Sequence, residues 1–302
     1  RPWTGENEPN PLELMFRAQM NNITQPFRFA EVLARTVPAL GRLGQGFAQR
    51  RFEQPRVQPP RTRFNKPVSG HCVVEGRRFD LQEVREIKGA VPNATINDAV
   101  LTIVGGALRI YLEEKLELPD ESLIAMAPIS VRSEDQKNAM GNQVAAMNVA
   151  LGTDIGDPLE RLRQVHDAAA ASKAMTRAVG AKLMTDYSQF IPSTTAALAA
   201  RLYTEYRLAD RVNLPFNCVV TNVPGPQFPL YSAGARLVTQ FGMGPIYDGM
   251  GLMFPVFSYC GYIMISLTAC REMMPDPAFF GQCLDRSFAE LKDATGARTE
   301  RA

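Results

Sequence analysis

Few residues of this 302-residue chain have types that do chemistry, and they are quickly tested against one another. A histidine serves as a general base when a second group orients it and a nucleophile lies within reach. His71 stands beside Cys72 in SGHCVV, where a strand begins, but no third activating group is visible near it. His166 lies one turn from Leu162 on a helical pattern. No Asp, Cys or second His stands at ligand spacing to it, so it reads as a half-buried helix-surface residue. The cysteines Cys72, Cys218, Cys260, Cys270 and Cys283 include no C-x-x-C pair, and an odd, scattered set reads as reduced thiols, with no metal expected. There is no G-x-S-x-G elbow, no H-E-x-x-H, no P-loop and no G-x-G-x-x-G. GMGPIYDGMG has glycines at other spacings, and Pro245 would break the helix that a phosphate site needs. On its own residues the chain offers no complete catalytic set.

One pair remains. TINDAVLTIVGGALR places Asn97 and Asp98 in the first turn of a helix and Gly105 and Gly106 in its middle. Thr95 with Asp98 approximates a capping box, and an acid there also suits the helix dipole, so Asp98 has a complete structural role. Asn97 has none, being a mediocre helix former where Ala or Glu would serve. Each interior glycine costs roughly 1 kcal/mol relative to Ala, so the Gly105-Gly106 pair marks close approach of a backbone or a ligand.

The elements that must position these residues follow from periodicity. Residues 11 to 49 are helical in pattern, with a kink expected at Pro38. RRFEQPRVQPPRTRFNKP then reads as a linker or a strap over a surface. From Val68 the pattern is compact α/β. HCVVEGRRF is a strand, Asp80 and Glu83 cap the helix LQEVREIKGA, and the Asn-Asp helix runs to about Lys115. SLIAMAPISV and QVAAMNVAL are strands poor in charge, which predicts that both their faces are covered. Asp157-Pro158 opens a long helix and TTAALAARLYTEYRLAD another. FNCVVTNVPGP is a strand ending in a turn, and LVTQFGMGPI is a further extended run. FPVFSYCGYIMISLTAC is a hairpin broken at Cys260-Gly261, and Asp276-Pro277 opens the last helix. Parallel crossovers combined with an antiparallel hairpin predict an α/β fold, a mixed sheet covered by helices.

Composition excludes several classes. The chain is 45% hydrophobic and 21% charged, and Lys+Arg 33 against Asp+Glu 31 creates no field suited to nucleic acid. No run of 18 apolar residues appears, and no signal peptide is expected.

Several blocks, in order, resemble the bacterial wax ester synthase/acyl-CoA:diacylglycerol acyltransferase family. TINDAVLTIVGGALR resembles its Asn-Asp block, and RTRFNKPVSGHCVVEGRRFDLQEVREI resembles the segment entering its C-terminal half. IAMAPISVR, GNQVAAMNVALGTDIGDPLERLRQVH and FNCVVTNVPGP with LYSAGARL resemble further blocks, from about Phe64 to Ala294. QFGMGP resembles, more weakly, a glycine-aromatic segment of related plant acyltransferases. The resemblance implies the chloramphenicol-acetyltransferase-like, CoA-dependent acyltransferase fold, two halves with a tunnel between them. The family's His-His-x-x-x-Asp-Gly motif has no match here, where no two histidines are adjacent. RPWTGENEPN resembles the start of the inter-half linker. The expected division is therefore linker and strap over 1–66, a C-terminal acyltransferase half over 67–296 and a tail over 297–302. The histidine-bearing half is expected as a partner on a separate chain of the same cleaved protein.

By the same resemblance, Asn97 supports catalysis from the tunnel, with Asp98, Thr95, Gly105 and Gly106 as structural support. Asn222, Gly225 and Pro226 of TNVPGP line the substrate path, although a plain strand-terminating turn explains that stretch equally well. The implied reaction moves a long-chain acyl group from acyl-CoA, a substrate and not a bound cofactor, to a fatty alcohol or diacylglycerol. It yields wax ester or triacylglycerol without an acyl-enzyme. A cytoplasmic location is expected, with peripheral contact to the inner membrane or lipid inclusions through Arg50, Arg51, Arg56, Arg61 and Arg63. The rivals are a condensation-type acyltransferase with another acceptor, and a non-catalytic scaffold or lipid-droplet module of the same fold.

Overall fold

A computed structural model describes residues 10–16, 19–20, 23–24, 59–130, 144–179, 193–212 and 214–296. The kink expected at Pro38, the arginines at 50, 51 and 56 and the tail from 297 lie outside the described residues.

Local chemistry sets the order of elements. Strand β1 (Cys72–Asp80) passes into helix α1 (Leu81–Gly89), whose cap is the Asp80 carboxylate, accepting the N–H groups of Gln82 and Glu83 at 2.7 and 3.3 Å. Helix α2 (Ile96–Glu114), the Asn-Asp helix, leads to strands β2 (Ile124–Ser130) and β3 (Val144–Ala150). Helix α3 (Pro158–Val179) starts on Asp157, whose carboxylate accepts the Glu160 N–H at 2.7 Å. Helix α4 (Ser193–Glu205) precedes strand β4 (Cys218–Val223), the short hairpin β5 (Tyr231–Ser232) and β6 (Ala235–Arg236), the long hairpin β7 (Leu252–Tyr259) and β8 (Tyr262–Cys270), and helix α5 (Pro277–Thr295). Asp276 opens α5 without capping it. Its carboxylate is taken instead by the Tyr111 hydroxyl at 2.7 Å and by Lys115, which ties α2 to the head of α5.

The main sheet has the order β1-β8-β7-β4-β2-β3. Its centre is parallel, β2 with β4 and β4 with β7, while β1/β8, β7/β8 and β2/β3 are antiparallel. This is the mixed sheet expected. Strand alternation divides the faces. Leu252, Phe254 and Val256 of β7 and Ile263, Ile265 and Leu267 of β8 turn to one side, where they pack with α1, α2, α3 and α5 in a single core.

The opposite face is crossed by residues 237–246. LVTQFGMGPI pairs with no strand of the sheet: it lies flat on β7 and β8, held by the Gly244 N–H on Thr268 Oγ1 at 3.2 Å and by Ser266 Oγ on the Gly242 carbonyl at 2.8 Å. Coverage of β3 also differs from expectation. As an edge strand it buries Met147 and Val149 and exposes Ala146 and Asn148; small and polar residues on the solvent side keep charge low without burial.

Packing runs through the boundary expected after residue 66. Phe64, in a 3-10 turn (Arg63–Asn65), is fully buried in the main core. Beside it Asn65 and Asn217 form a buried amide pair. Asn217 Nδ2 donates to Asn65 Oδ1 at 2.9 Å and to the Pro60 carbonyl at 2.6 Å, and Asn217 Oδ1 accepts the Ile124 N–H at 2.9 Å. Asn65 Nδ2 donates to the carbonyls of Asn217 and Gly249. Residues 59–66 are thus stitched to the starts of β2 and β4.

Candidate active site

The head of α2 is built as expected and then used further. Thr95 Oγ1 accepts the Asp98 N–H at 3.2 Å, and Asp98 Oδ2 accepts the Thr95 N–H at 2.8 Å, a complete capping box. The same Oδ2 lies 2.9 Å from His166 Nδ1 on α3, with side chains 5% and 20% exposed. An ionised carboxylate only accepts, so Nδ1 carries the proton in this contact. His166 therefore has a carboxylate partner, 68 residues away and outside any local spacing. Asp98 is both cap and interhelical tie.

Asp98→Ala is accordingly expected to lose more than a cap's ~1 kcal/mol, with a further ~1–3 kcal/mol for the stranded imidazole. Chemical denaturation of Asp98→Ala and of His166→Ala reads this; a loss no greater than a cap's in Asp98→Ala refutes the tie.

Asn97, in the same turn, is half-buried, and its amide makes no hydrogen bond among the described residues. The capping box fixes its backbone and leaves its side chain uncommitted.

The glycine pair answers to two neighbours. A Cβ at Gly105 would stand 2.1 Å from the Leu151 carbonyl oxygen, where the chain leaves β3. At Gly106 it would meet Ser287 Oγ of α5 at 2.2 Å and Arg161 Nη1 of α3 at 2.6 Å. Ser287 Oγ is itself buried and donates to the Ile103 carbonyl at 2.8 Å. Arg161, only 2% exposed, donates to the carbonyls of Gly152, Ile155 and Gly156. Its burial, with Arg109 nearby, lowers its pKa. The glycines thus let α2 sink between α3, α5 and the exit of β3.

Asn222 is the Cα partner of Val256 and, by alternation with Cys218 and Val220, shares the helix-covered side of the sheet with α2; no hydrogen bond joins it to Asn97. The Pro224-Gly225-Pro226 turn is pinned to the end of β7. Gly225 N–H donates to Ser258 Oγ at 3.2 Å, Cys260 N–H to the Pro226 carbonyl at 3.3 Å, and a Cβ at Gly225 would stand 2.2 Å from the Ser258 carbonyl oxygen. Only glycine fits.

The other histidine gains no catalytic partner. His71 is exposed, its Nδ1 3.6 Å from Glu272 Oε1. Glu272 is held at a pKa of about 2 by the Cys270 thiol and the Ser69 hydroxyl, which donate to Oε2 at 3.0 and 2.6 Å. All five cysteines are free thiols; burial pushes Cys218 up to about 12 and Cys283 up to about 11. No group of three His, Cys, Asp or Glu side chains suited to a metal occurs among the described residues.

Sequence reasoning missed the Asp98–His166 tie, the buried Arg161 and the Asn65–Asn217 pair. GDPLERLRQVH does carry one signal for the first two, since Arg161 and His166 both follow the N-cap acid Asp157 on the same helix.

Comparison with known proteins agrees over most of the chain. The model of the WS/DGAT C-terminal domain matches residues 140–292, and that of the wax ester synthase/diacylglycerol acyltransferase catalytic domain matches residues 1–100. A putative diacylglycerol O-acyltransferase of Mycobacterium tuberculosis is 30% identical over 277 residues, 91% of this chain and 54% of its own length. The probable diacylglycerol O-acyltransferase tgs2 of the same species is 32% identical over 243 residues, 78% of this chain and 51% of its own. The chain thus spans about half the length of the curated relatives it matches. The wax ester synthase/diacylglycerol acyltransferase of Marinobacter aquaeolei VT8 shares the fold, with a TM-score of 0.62 at 24% identity over 88% of this chain and 57% of that one. With half of its residues under the C-terminal model alone, the chain belongs to the wax ester synthase/diacylglycerol acyltransferase family.

Proposed function

We propose that this chain forms one side of an acyl-transfer site, and that a histidine on the family's N-terminal half supplies the general base. That histidine takes the proton from the hydroxyl of a fatty alcohol or diacylglycerol. The oxygen attacks the thioester carbonyl of a long-chain acyl-CoA, and the tetrahedral oxyanion collapses with release of CoA as thiol, leaving wax ester or triacylglycerol. Asn97 supports this step from the head of α2, and Asn222 with the Gly225-Pro226 turn borders the substrate path. The observation that carries the reading is the occurrence of both family models on one chain. Its own histidines support a base from elsewhere: one is tied to Asp98, the other is exposed beside Glu272.

No helix among the described residues is long and apolar enough to cross a membrane. A contact with lipid would be peripheral, and two arginines of the strap are poorer candidates than its composition implies. Arg61 donates to the carbonyls of Ala209 and Asp210, and Arg63 is paired with Glu117 at 2.7 Å, so both are already committed.

The test is to express residues 1–302 alone and together with the N-terminal half, and to follow CoA release from palmitoyl-CoA with hexadecanol or a diacylglycerol. Turnover is expected only in the combination. Turnover by residues 1–302 alone, above the uncatalysed background, overturns the assignment of the base.

A further inference from the structure

Two tight hairpins are joined on the side of the sheet away from α2. Ala233 and Gly234 join β5 to β6 with φ of 49° and 83°, and Cys260 and Gly261 join β7 to β8 with φ of 45° and 83°. Positive φ at both central residues is the type I′ hairpin geometry, which matches the twist of the strands. Ala233 and Cys260 hold it without the freedom of glycine, so the surrounding structure fixes them. Tyr259 is what fixes the first hairpin to the second. Its ring is buried, and its hydroxyl accepts the Leu230 N–H at 2.7 Å and donates to the Leu237 carbonyl at 3.1 Å.

Between the hairpins lies a cleft of about 250 Å³. Arg78 of β1 and Arg236 of β6 line it, with Tyr262 and the aliphatic Leu237 and Val238, and no carboxylate does. Arg78 lies over the Tyr262 ring, its guanidinium carbon 4.4 Å from the centroid. Neither Arg78 nor Arg236 forms an ion pair among the described residues. The preceding residue on β1 behaves differently: Arg77 is held between Glu75 and Asp285 at 2.6 and 2.8 Å. The arginines of the cleft thus keep their donors uncommitted, on walls that are already rigid. Two planar forks with an apolar floor are suited to a tetrahedral anion carried on an organic group.

We propose that this cleft is a phosphate-binding site, Arg78 and Arg236 taking a phosphate ester whose organic part lies along Leu237 and Val238. A nucleotide phosphate and a phospholipid headgroup share this chemistry. Binding is read on this chain without turnover, so the proposal stands or falls separately from acyl transfer.

The test uses residues 1–302 with two probes. Calorimetry measures binding of adenosine 3′,5′-bisphosphate, and co-sedimentation measures binding to phosphatidylcholine vesicles with and without phosphatidylglycerol. Saturable binding in either arm is expected, the soluble arm identifying a nucleotide and the vesicle arm a headgroup. Arg78→Gln and Arg236→Gln should each weaken it about tenfold, the loss of one charge-assisted hydrogen bond, and the double variant about a hundredfold. Arg78→Lys, keeping charge and stem but not the fork, should weaken it less than Arg78→Gln. Both arginines are exposed, so melting temperatures should hold and report intact folding. Arg85→Gln, at an exposed position of α1 outside the cleft, should change nothing. No binding in either arm, or binding that survives the double variant or falls equally in Arg85→Gln, overturns the proposal.

Discussion

Asn97→Ala should lower turnover of the assembled enzyme by about 10²-fold, the loss seen when one well-placed polar donor is removed from a developing oxyanion. Its stability should hold or rise slightly. Alanine is the better helix former by about 0.6 kcal/mol. The Asn97 amide also makes no hydrogen bond among the described residues, so its removal strands no buried partner. The outcome separates the two roles of neighbouring residues, because among the described residues Asp98 accepts from Thr95 and contacts His166 while Asn97 has no side-chain partner. Melting temperature and kcat measured together on the same preparation decide it. A wild-type kcat removes Asn97 from the site.

The second large effect is on folding. Gly105→Ala should destabilise by about 3 kcal/mol, on the order of 10 °C in melting temperature, although helix propensity alone favours the change by roughly 1 kcal/mol. The contact at 2.1 Å is with backbone, the Leu151 carbonyl, so relief requires α2 and the exit of β3 to part. Gly106→Ala should cost about half as much, since its nearest neighbours are the ends of Ser287 and Arg161 side chains, which can turn aside. Urea denaturation of both variants gives the comparison. Gly105→Ala as stable as wild type, or Gly106→Ala the worse of the two, contradicts the close approach described.

Features legible in the sequence were those written within one turn or one hairpin. Thr95 with Asp98, Asp80 with Glu83, Asp157 before Pro158, and Cys260-Gly261 each carry their structural instruction within four residues. The mixed sheet followed from their order. What was not legible depends on residues far apart in the chain. His166 has no acid at helical or loop spacing because its partner sits on another helix, and only packing α2 against α3 brings the two together. The neighbour of Gly105 is a backbone carbonyl, for which no side-chain pattern exists. LVTQFGMGPI has strand-like composition because it rests on an apolar sheet face, and lying flat on a face and pairing along an edge demand similar residues. Asn222 and the Gly225-Pro226 turn are placed by register with β7, again a long-range fact.

The centre of the sheet has a consequence for how quickly the molecule forms. Strand β4 is flanked on both sides by parallel neighbours, so residue 218 must find residue 125 and residue 219 must find residue 253 before either ladder can close. The Asn65–Asn217 pair adds a closure across 152 residues to the same point. Hairpins and capped helices form from local contacts in microseconds, but loops of this size carry their entropy cost before any contact offsets it. Folding of this chain therefore waits on β4. Until β4 docks, the apolar edges of β2 and β7 stand open together, and in that interval the chain is most exposed to pairing with another copy of itself.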